Sequence, residues 1–230
     1  KDSGVEWLGE VPAHWVMAAV KRYCDVRDGT HSTPEYVERS NFSFPLITSK
    51  DISSDGISLV EASHISADDH HEISKRSGVA RGDILMPMIG TIGGAVVVGI
   101  DDQFSIKNVA LFKKGNFSSN WLAYLLDSDV SLIEFELNRS GGVQGFVSLG
   151  TLRNLVFPTP SLEEQNDVVH FLDKKMIGFD QLIAEAFKSV DLMLERRSAL
   201  ISAAVTGKID VRGWQPPINA ATPELAQETV

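Results

Sequence analysis

Residues 162–206 read LEEQNDVVHFLDKKMIGFDQLIAEAFKSVDLMLERRSALISAAVT. Within them Val169, Leu172, Met176, Phe179, Ile183, Ala186, Val190, Met193, Arg197, Leu200 and Ala204 follow one another at alternating spacings of 3 and 4. This is the 3.5-residue apolar period of a coiled-coil seam, broken only by the charge of Arg197. At about 1.5 Å per residue the seam extends roughly 50 Å. A helix of that length cannot hide its stripe in a small neighbouring core, so a second long helix is required, from another chain or another part of the same protein. A charged seam residue such as Arg197 pairs with a carboxylate across the helices and fixes register at some cost in stability.

The flanks of this stretch carry the expected punctuation. Phe157-Pro158-Thr159-Pro160-Ser161 reads as a rigid linker, with residues 158–161 as its Pro-rich centre, because proline forbids helix and pre-orders the chain. Ser161-Leu162-Glu163-Glu164 supplies a capping-box start. Gly207 is a helix stop. The tail, residues 207–230, becomes Pro-, Ala-, Thr- and Glu-rich from 214 and reads as partly disordered.

Upstream, residues 1–157 read as one globular domain of short strands and helices. Phe44 to Thr48 is a short apolar run, and Asp55-Gly56 is a hairpin turn signal. Gly82-Asp83 leads into Ile84-Leu85-Met86. Residues 89–100 are Val-rich and punctuated at Gly93-Gly94, and 109–112 form another strand ending in a Lys113-Lys114-Gly115 turn. Helices are predicted over 119–126 and 128–138, the second broken by Arg139-Ser140-Gly141-Gly142. The expected fold class is α+β: a globular α/β domain with short strands followed by a long C-terminal coiled-coil helix.

Composition limits the function classes. Of 230 residues, 43% are hydrophobic and 23% charged, which is the balance of a folded domain. No apolar run reaches the ~20 residues of a membrane span, and KDSGVEWLGEVP lacks the basic-then-apolar order of a signal sequence. A cytoplasmic location is expected, with Cys24, the single cysteine, as a reduced thiol. Net charge is −10, and residues 1–160 carry 14 basic against 20 acidic side chains. Nonspecific phosphate binding draws on Lys and Arg, so any DNA reading must rest on local patches or on a partner that supplies phosphate contacts.

Several clusters invite chemistry. Gly90 to Gly99 lacks the Gly-Lys-Ser/Thr ending of a phosphate loop, and tight turns between strands are the reading. Asp68-Asp69-His70-His71-Glu72 lacks metal-ligand spacing, so no metal site is expected and a solvated loop is the reading. Asp28-Gly29-Thr30-His31-Ser32-Thr33-Pro34 concentrates hydroxyls and an imidazole beside a turn. It is either a structural turn or a loop touching phosphate or base edges. Ser49-Lys50, Lys107-Asn108 and the segment from Arg139 to Gln144 have side chains suited to direct readout, Asn and Gln for adenine and Arg or Lys for guanine. The candidate DNA contacts are therefore Thr30, His31, Ser32, Thr33, Ser49, Lys50, Lys107, Asn108, Arg139 and Gln144. No catalytic residue is assigned.

Taken together these blocks resemble the specificity subunits of type I restriction–modification systems, and one half of such a subunit in particular. GEVPAHW (9–15) resembles the opening of each half. DGTHSTP (28–34), PLITSKDI (45–52), GDIL (82–85), GTIG (90–93) and SIKNVAL (105–111) follow. PTPSLEEQ (158–165) and ERRSALISAAVTGKID (195–210) complete the pattern, the last being the most specific. The resemblance implies that residues 1–157 are a target recognition domain reading one half of a bipartite DNA sequence. It implies that residues 162–206 are a spacer helix that packs antiparallel on a second one. Full-length members hold two such halves, whereas this chain holds one, so a second half or a second copy would supply the other helix. The implied partners are double-stranded DNA, adenine methyltransferase subunits using S-adenosylmethionine, and a restriction subunit using ATP and Mg. The chain itself would bind no cofactor and catalyse nothing. The rival reading is a regulator or decoy that occupies the methyltransferase through the helix without reading DNA. A stand-alone enzyme is disfavoured, since no Asn-Pro-Pro-Tyr type motif, P-loop or nuclease-like acidic cluster is present.

Ile183→Asp places a charge in the middle of the seam. It is expected to abolish helix pairing while the recognition domain stays folded, read by sedimentation beside circular dichroism. A dimer retained by this variant removes the coiled-coil argument.

Overall fold

The computed structural model describes residues 1–4, 8–141 and 145–215. It comprises two compact units, Lys1–Asp173 and Lys174–Val230. The first unit opens with strands β1 (Val16–Ala19), β2 (Val26–Asp28), β3 (Tyr36–Val37) and β4 (Phe44–Ile47). A hairpin of β5 (Ile52–Ser53) and β6 (Gly56–Ile57) follows, then β7 (Ser63–Ile65) and helix α1 (Ala67–Ser77). The predicted Asp55-Gly56 turn closes that hairpin, with Gly56 at φ 121°, a conformation side chains disfavour. Strands β8 (Ile84–Ile89), β9 (Thr91–Ile92), β10 (Val96–Val97), β11 (Ser105–Ile106) and β12 (Val109–Phe112) come next. Helices α2 (Ser119–Leu126), α3 (Asp129–Leu137) and α4 (Leu149–Asn154), strand β13 (Val156–Thr159) and helix α5 (Leu162–Val205) complete the order.

The core is built on the two most apolar strands. β8 and β12 pair antiparallel at the centre of a sheet ordered β10-β8-β12-β2, with β9 folded back on β8. Side chains alternate across a strand, so a continuously apolar run feeds both faces. Ile84, Met86, Met88, Ala110 and Phe112 face one core with Trp121, Leu122, Leu126, Phe135, Leu152 and Phe157. Leu85, Val109 and Leu111 face a second core with Ile47, Val98, Phe104 and Ile106. A second sheet, ordered β11-β4-β7-β3, closes that side; β11 runs parallel to β4 and the other pairs are antiparallel.

The capping box of α5 forms by half. Ser161 Oγ accepts from the Glu164 backbone at 3.2 Å, but the Glu164 carboxylate does not turn back to the cap. It accepts instead from Trp15 Nε1 at 2.8 Å and sits 3.0 Å from His14 Nε2. The next residue, Gln165, is buried, accepts from the Ser118 backbone at 2.8 Å and donates to Pro160 O at 3.1 Å. The GEVPAHW and SLEEQ blocks thus meet, and the helix start is tied to the domain by polar bonds. At the other end Gly207 (φ 73°) stops the helix. Its N–H reaches Ala204 O at 3.2 Å and that of Lys208 reaches Ala203 O at 2.9 Å, the paired bonds of a Schellman ending.

Of the seam residues, Val169 is buried in the domain core. Met176, Phe179, Ile183, Val190, Met193 and Leu200 are each between 45% and 62% exposed, so the seam is uncovered. An additional apolar row, Phe187, Leu194 and Ile201, lies one position after every second seam residue (Ala186, Met193 and Leu200) and is also exposed. The apolar face is therefore wider than a two-helix seam needs. No helix among the described residues is long and apolar enough to cross a membrane.

Three sequence expectations change, and one further helix joins the predicted ones. Residues 68–72 are not a solvated loop but part of α1. Ser66 caps that helix by accepting from Asp69 N at 3.1 Å, and the stretch escaped notice because it has almost no apolar period. Residues 149–154 are helical as well, capped by Ser148. The Pro-rich segment is strand β13 over Val156–Thr159, paired with β1 in a two-stranded sheet where Pro158 faces Met17. An outer strand tolerates a missing N–H, so proline does not exclude it. Lys113 is no free turn residue, because its Nζ pairs with the buried Asp83 carboxylate at 2.5 Å and bonds Gly78 O at 3.0 Å. Of the tail, residues 216–230 lie outside the described residues.

Phe112 is fully buried among the helices on one face of the sheet. Phe112→Ala is expected to cost about 3–5 kcal/mol in chemical denaturation.

Candidate nucleic-acid interface

Parallel strands release their following loops at the same sheet end. β4 and β11 are parallel, and Lys107 N donates to Ile47 O at 2.9 Å, so Thr48-Ser49-Lys50 and Lys107-Asn108 leave side by side. β2 ends at the same level. Gly29 N donates to Val109 O at 2.9 Å, Thr30 N to Ile106 O at 2.9 Å, and Asn108 N to Thr30 O at 3.1 Å. Gly29 has no alternative here, since a Cβ would sit 2.3 Å from Ile106 O, a backbone atom. Asn108 takes φ 56°, in the left-handed region that asparagine tolerates better than most residues.

The side chains form one network around Asp28, which is largely buried. His31 Nε2 lies 2.8 Å from Asp28 Oδ2, and His31 Nδ1 lies 2.9 Å from Asn108 Oδ1. Arg76, from the end of α1, donates to the other oxygen of Asp28. Burial pushes the Asp28 carboxyl up, but the hydrogen bonds from Arg76 and His31 outweigh it and hold the group below its ordinary value. The hydrogen bonds to Asn108 and then to Asp28 raise His31 above its ordinary 6.5. Lys107 Nζ donates to Thr33 Oγ1 at 2.6 Å, and Thr30 Oγ1 donates to Ser32 O at 3.4 Å. Arg76, Ser77 and Thr30 also line a shallow pocket with Glu72 and Ile73.

Ser49 and Lys50 occupy a single 3-10 turn. Thr48 caps it with buried Asp51, whose Oδ2 accepts from Thr48 N at 2.9 Å and Thr48 Oγ1 at 2.8 Å. That bond pair fixes the turn and leaves Lys50 exposed. Arg139 lies on a different arm. Ser140 and Phe146 bridge, and the arm attaches to the end of β8 through Gly90 N to Gly145 O (2.9 Å) and Val147 N to Met88 O (3.0 Å). The arm thus joins the same end of the sheet, two strands from β2, or roughly 10 Å at strand spacing. Arg139 is exposed and pairs with Glu136 at 3.1 Å. Gln144 lies outside the described residues.

Thr30, His31, Ser32, Thr33, Lys107 and Asn108 are therefore one cluster, Ser49 and Lys50 adjoin it, and Arg139 stands apart on the same edge. Two members were not singled out from the sequence. Asp28 was quoted as part of a turn, and its acidic type beside His31 was the available signal. Arg76 carries no local signal, because its role depends on α1 packing beside β2. The metal-capable run on α1 gathers no ligand set among the described residues. His70 instead stacks on Phe44 (centroids 4.0 Å apart, 8° between planes) and meets Ser105 Oγ at 2.9 Å, and burial, then His71, lowers its affinity for a proton.

An α+β module with its polar loops gathered at one sheet end, followed by a long helix with an exposed apolar stripe, defines the class. Comparison narrows it. No protein-family model matches the sequence. The chain is 23% identical over 215 residues to the type I restriction enzyme MjaVIII specificity subunit of Methanocaldococcus jannaschii, covering 89% of this chain and 48% of that protein. Its fold matches a chain from a structure of complex assembly and conformational transition of the type I R-M system. The TM-score is 0.66 at 20% identity, over 85% of this chain and 47% of that one. It also matches the HsdS subunit from Thermoanaerobacter tengcongensis, with TM-score 0.54 at 19% identity over 72% and 38% of the two chains. The chain is thus similar in sequence and fold to one half of a type I specificity subunit, and it spans about half the length of the curated relative it matches.

Since the His31 value is raised by folding, its pair with Asp28 stabilises the fold fully below the ordinary histidine value. The contribution fades as pH rises through the raised one. The stability difference between wild type and His31→Ala is expected to be larger at about pH 5 than at about pH 9 in urea denaturation. A difference that grows with pH contradicts the network.

Proposed function

We propose that this chain is the DNA-reading half of a type I specificity subunit. Its domain enters DNA with the loops at 30–33, 49–50 and 107–108, reads one half of a bipartite target, and leaves catalysis to its partners. The observation that carries this reading is the convergence of three sequence-distant polar loops at one sheet end, in a chain whose fold matches half of such a subunit. The long helix sets the distance to a second half-site by pairing with another helix, from a second copy or a second half. Two copies related by a two-fold axis would read a symmetric site.

The net charge of −10 fits a reader whose partners hold the phosphates. Methyltransferase subunits would bring S-adenosylmethionine and flip the adenine, and a restriction subunit would bring ATP and Mg. Such an assembly works in the cytoplasm. The extra apolar row of Phe187, Leu194 and Ile201 supports docking of a second partner on the helix beside the paired one.

The test is a methylome. The chain is co-expressed with the methyltransferase subunit of its genome and modified adenines are mapped. A symmetric bipartite motif is expected if two copies pair; an asymmetric one assigns the second site to another half. Replacing a base-reading residue is expected to cost about 1–3 kcal/mol at one base position only. A stable complex without methylation, unaffected by deletion of the loops, would make the chain a methyltransferase-binding regulator instead.

A further inference from the structure

Both ring nitrogens of His31 face oxygen. Asp28 Oδ2 stands 2.8 Å from Nε2, and Asn108 Oδ1 stands 2.9 Å from Nδ1. An ionised carboxylate and an amide oxygen only accept, and a neutral imidazole has a single N–H. Only the imidazolium satisfies both partners at once. Arg76 on the second oxygen of Asp28 keeps that carboxylate ionised. If His31 were neutral with its proton on Nε2, the bare Nδ1 would need a donor, and the Asn108 amide would turn its NH2 inward. The charge on His31 and the orientation of the Asn108 amide are therefore one coupled variable.

The backbone removes other freedom. Asn108 is held at φ 56° and its N–H is bound to Thr30 O. With Oδ1 turned onto His31, the amide presents Nδ2 on its other side, and that atom has no protein partner among the described residues. The neighbouring Lys107 is turned onto Thr33.

We propose that protonated His31 is a positioning residue that turns the Asn108 amide nitrogen outward, toward a hydrogen-bond acceptor on DNA. The acceptor is N7 of a purine, O6 of guanine, O4 of thymine, or a phosphate oxygen, and guanine is favoured over adenine because its O6 is a second acceptor where adenine has a donor. This rests on the DNA-reading function proposed above. It departs from the usual asparagine–adenine pair, which needs the amide oxygen and nitrogen together. The titratable groups that act on the imidazole are Asp28 from β2 and Arg76 from α1. The hydrogen bonds to Asn108 and Asp28 outweigh burial and the opposing Arg76 charge and favour the protonated ring. As pH rises through the His31 transition, the amide is released to turn.

Two measurements on the full chain test this. In the 15N-histidine-labelled protein, with His31 signals identified by their loss in His31→Gln, both ring nitrogens are expected to be protonated at about pH 7. The midpoint is expected to fall in Asp28→Asn and in Asn108→Gly, the latter chosen because glycine suits the positive φ. A neutral His31, or a midpoint indifferent to both changes, overturns the inference. Duplexes are then selected from a randomised pool by the chain in complex with the methyltransferase subunit of its genome, at about pH 6 and about pH 9. Guanine or thymine is expected at one position, with the preference reduced roughly tenfold in Asn108→Gly and at the higher pH. A uniform loss of affinity in Asn108→Gly, with the wild-type motif retained, identifies the acceptor as phosphate and supports the inference. Adenine at the position sensitive to Asn108→Gly overturns it, while DNA reading stands, if replacing that base by unsubstituted purine, which keeps N7 but lacks the 6-amino group, abolishes the preference. A pool returned unenriched by the wild type overturns DNA reading and this inference with it.

Discussion

The two-sided burial of β8 and β12 is the constraint on which the domain depends. A strand that is apolar at every position cannot lie on a surface, so both sheet faces must be covered. Helices α2, α3 and α4 cover one face, with Trp121, Leu122, Phe135 and Leu152 as the packing groups. The β11-β4-β7-β3 sheet covers the other through Ile47 and Ile106. This arrangement forces β4, β11 and the ends of β2 and β12 into register at one level. The candidate interface is a consequence of that register, since loops leaving aligned strand ends have no choice but to gather.

At that end the motif DGTH is explained by separate demands on each residue. Asp28 holds two side chains that are distant in sequence, His31 and Arg76. Gly29 lets one backbone pass within contact of another. Thr30 bridges to the β11–β12 junction, and His31 links Asp28 to Asn108. The Asp–His contact has the Asn108 amide on its far side.

The start of α5 obeys the same logic. A free capping box would bend Glu164 back on its own helix. Here the carboxylate serves Trp15 and His14, and Gln165 serves Ser118 and Pro160. Polar bonds from residues 150 positions apart in sequence thereby fix where the helix begins, and the Trp15 hydrogen bond, helped by His14, holds the carboxylate below its ordinary value against the opposing effect of desolvation. From Met176 onward the apolar residues of the seam are exposed among the described residues, and the wider row of Phe187, Leu194 and Ile201 adds apolar area beyond what a simple pair of helices needs.

By itself the sequence determined the long helix, its seam and its stop, because periodicity and capping are local properties of residues 161–207. It likewise determined the strongly apolar strands β8 and β12, the Asp55-Gly56 hairpin and helices α2 and α3. It did not reveal α1, whose ADDHHEISKRS run has no apolar stripe and is held by a stacked His70 and by Arg76. Nor did it reveal β13, where proline is tolerated only because β1 is its single partner. In the candidate interface, residue types were legible at Thr30, His31, Lys107 and Asn108. Their meeting was not, because 77 positions separate His31 from Asn108 and only strand register closes that gap. The tertiary structure alone decided that Asp28 and Arg76 belong with them, since a buried carboxylate finds its partners through packing, which no local pattern encodes.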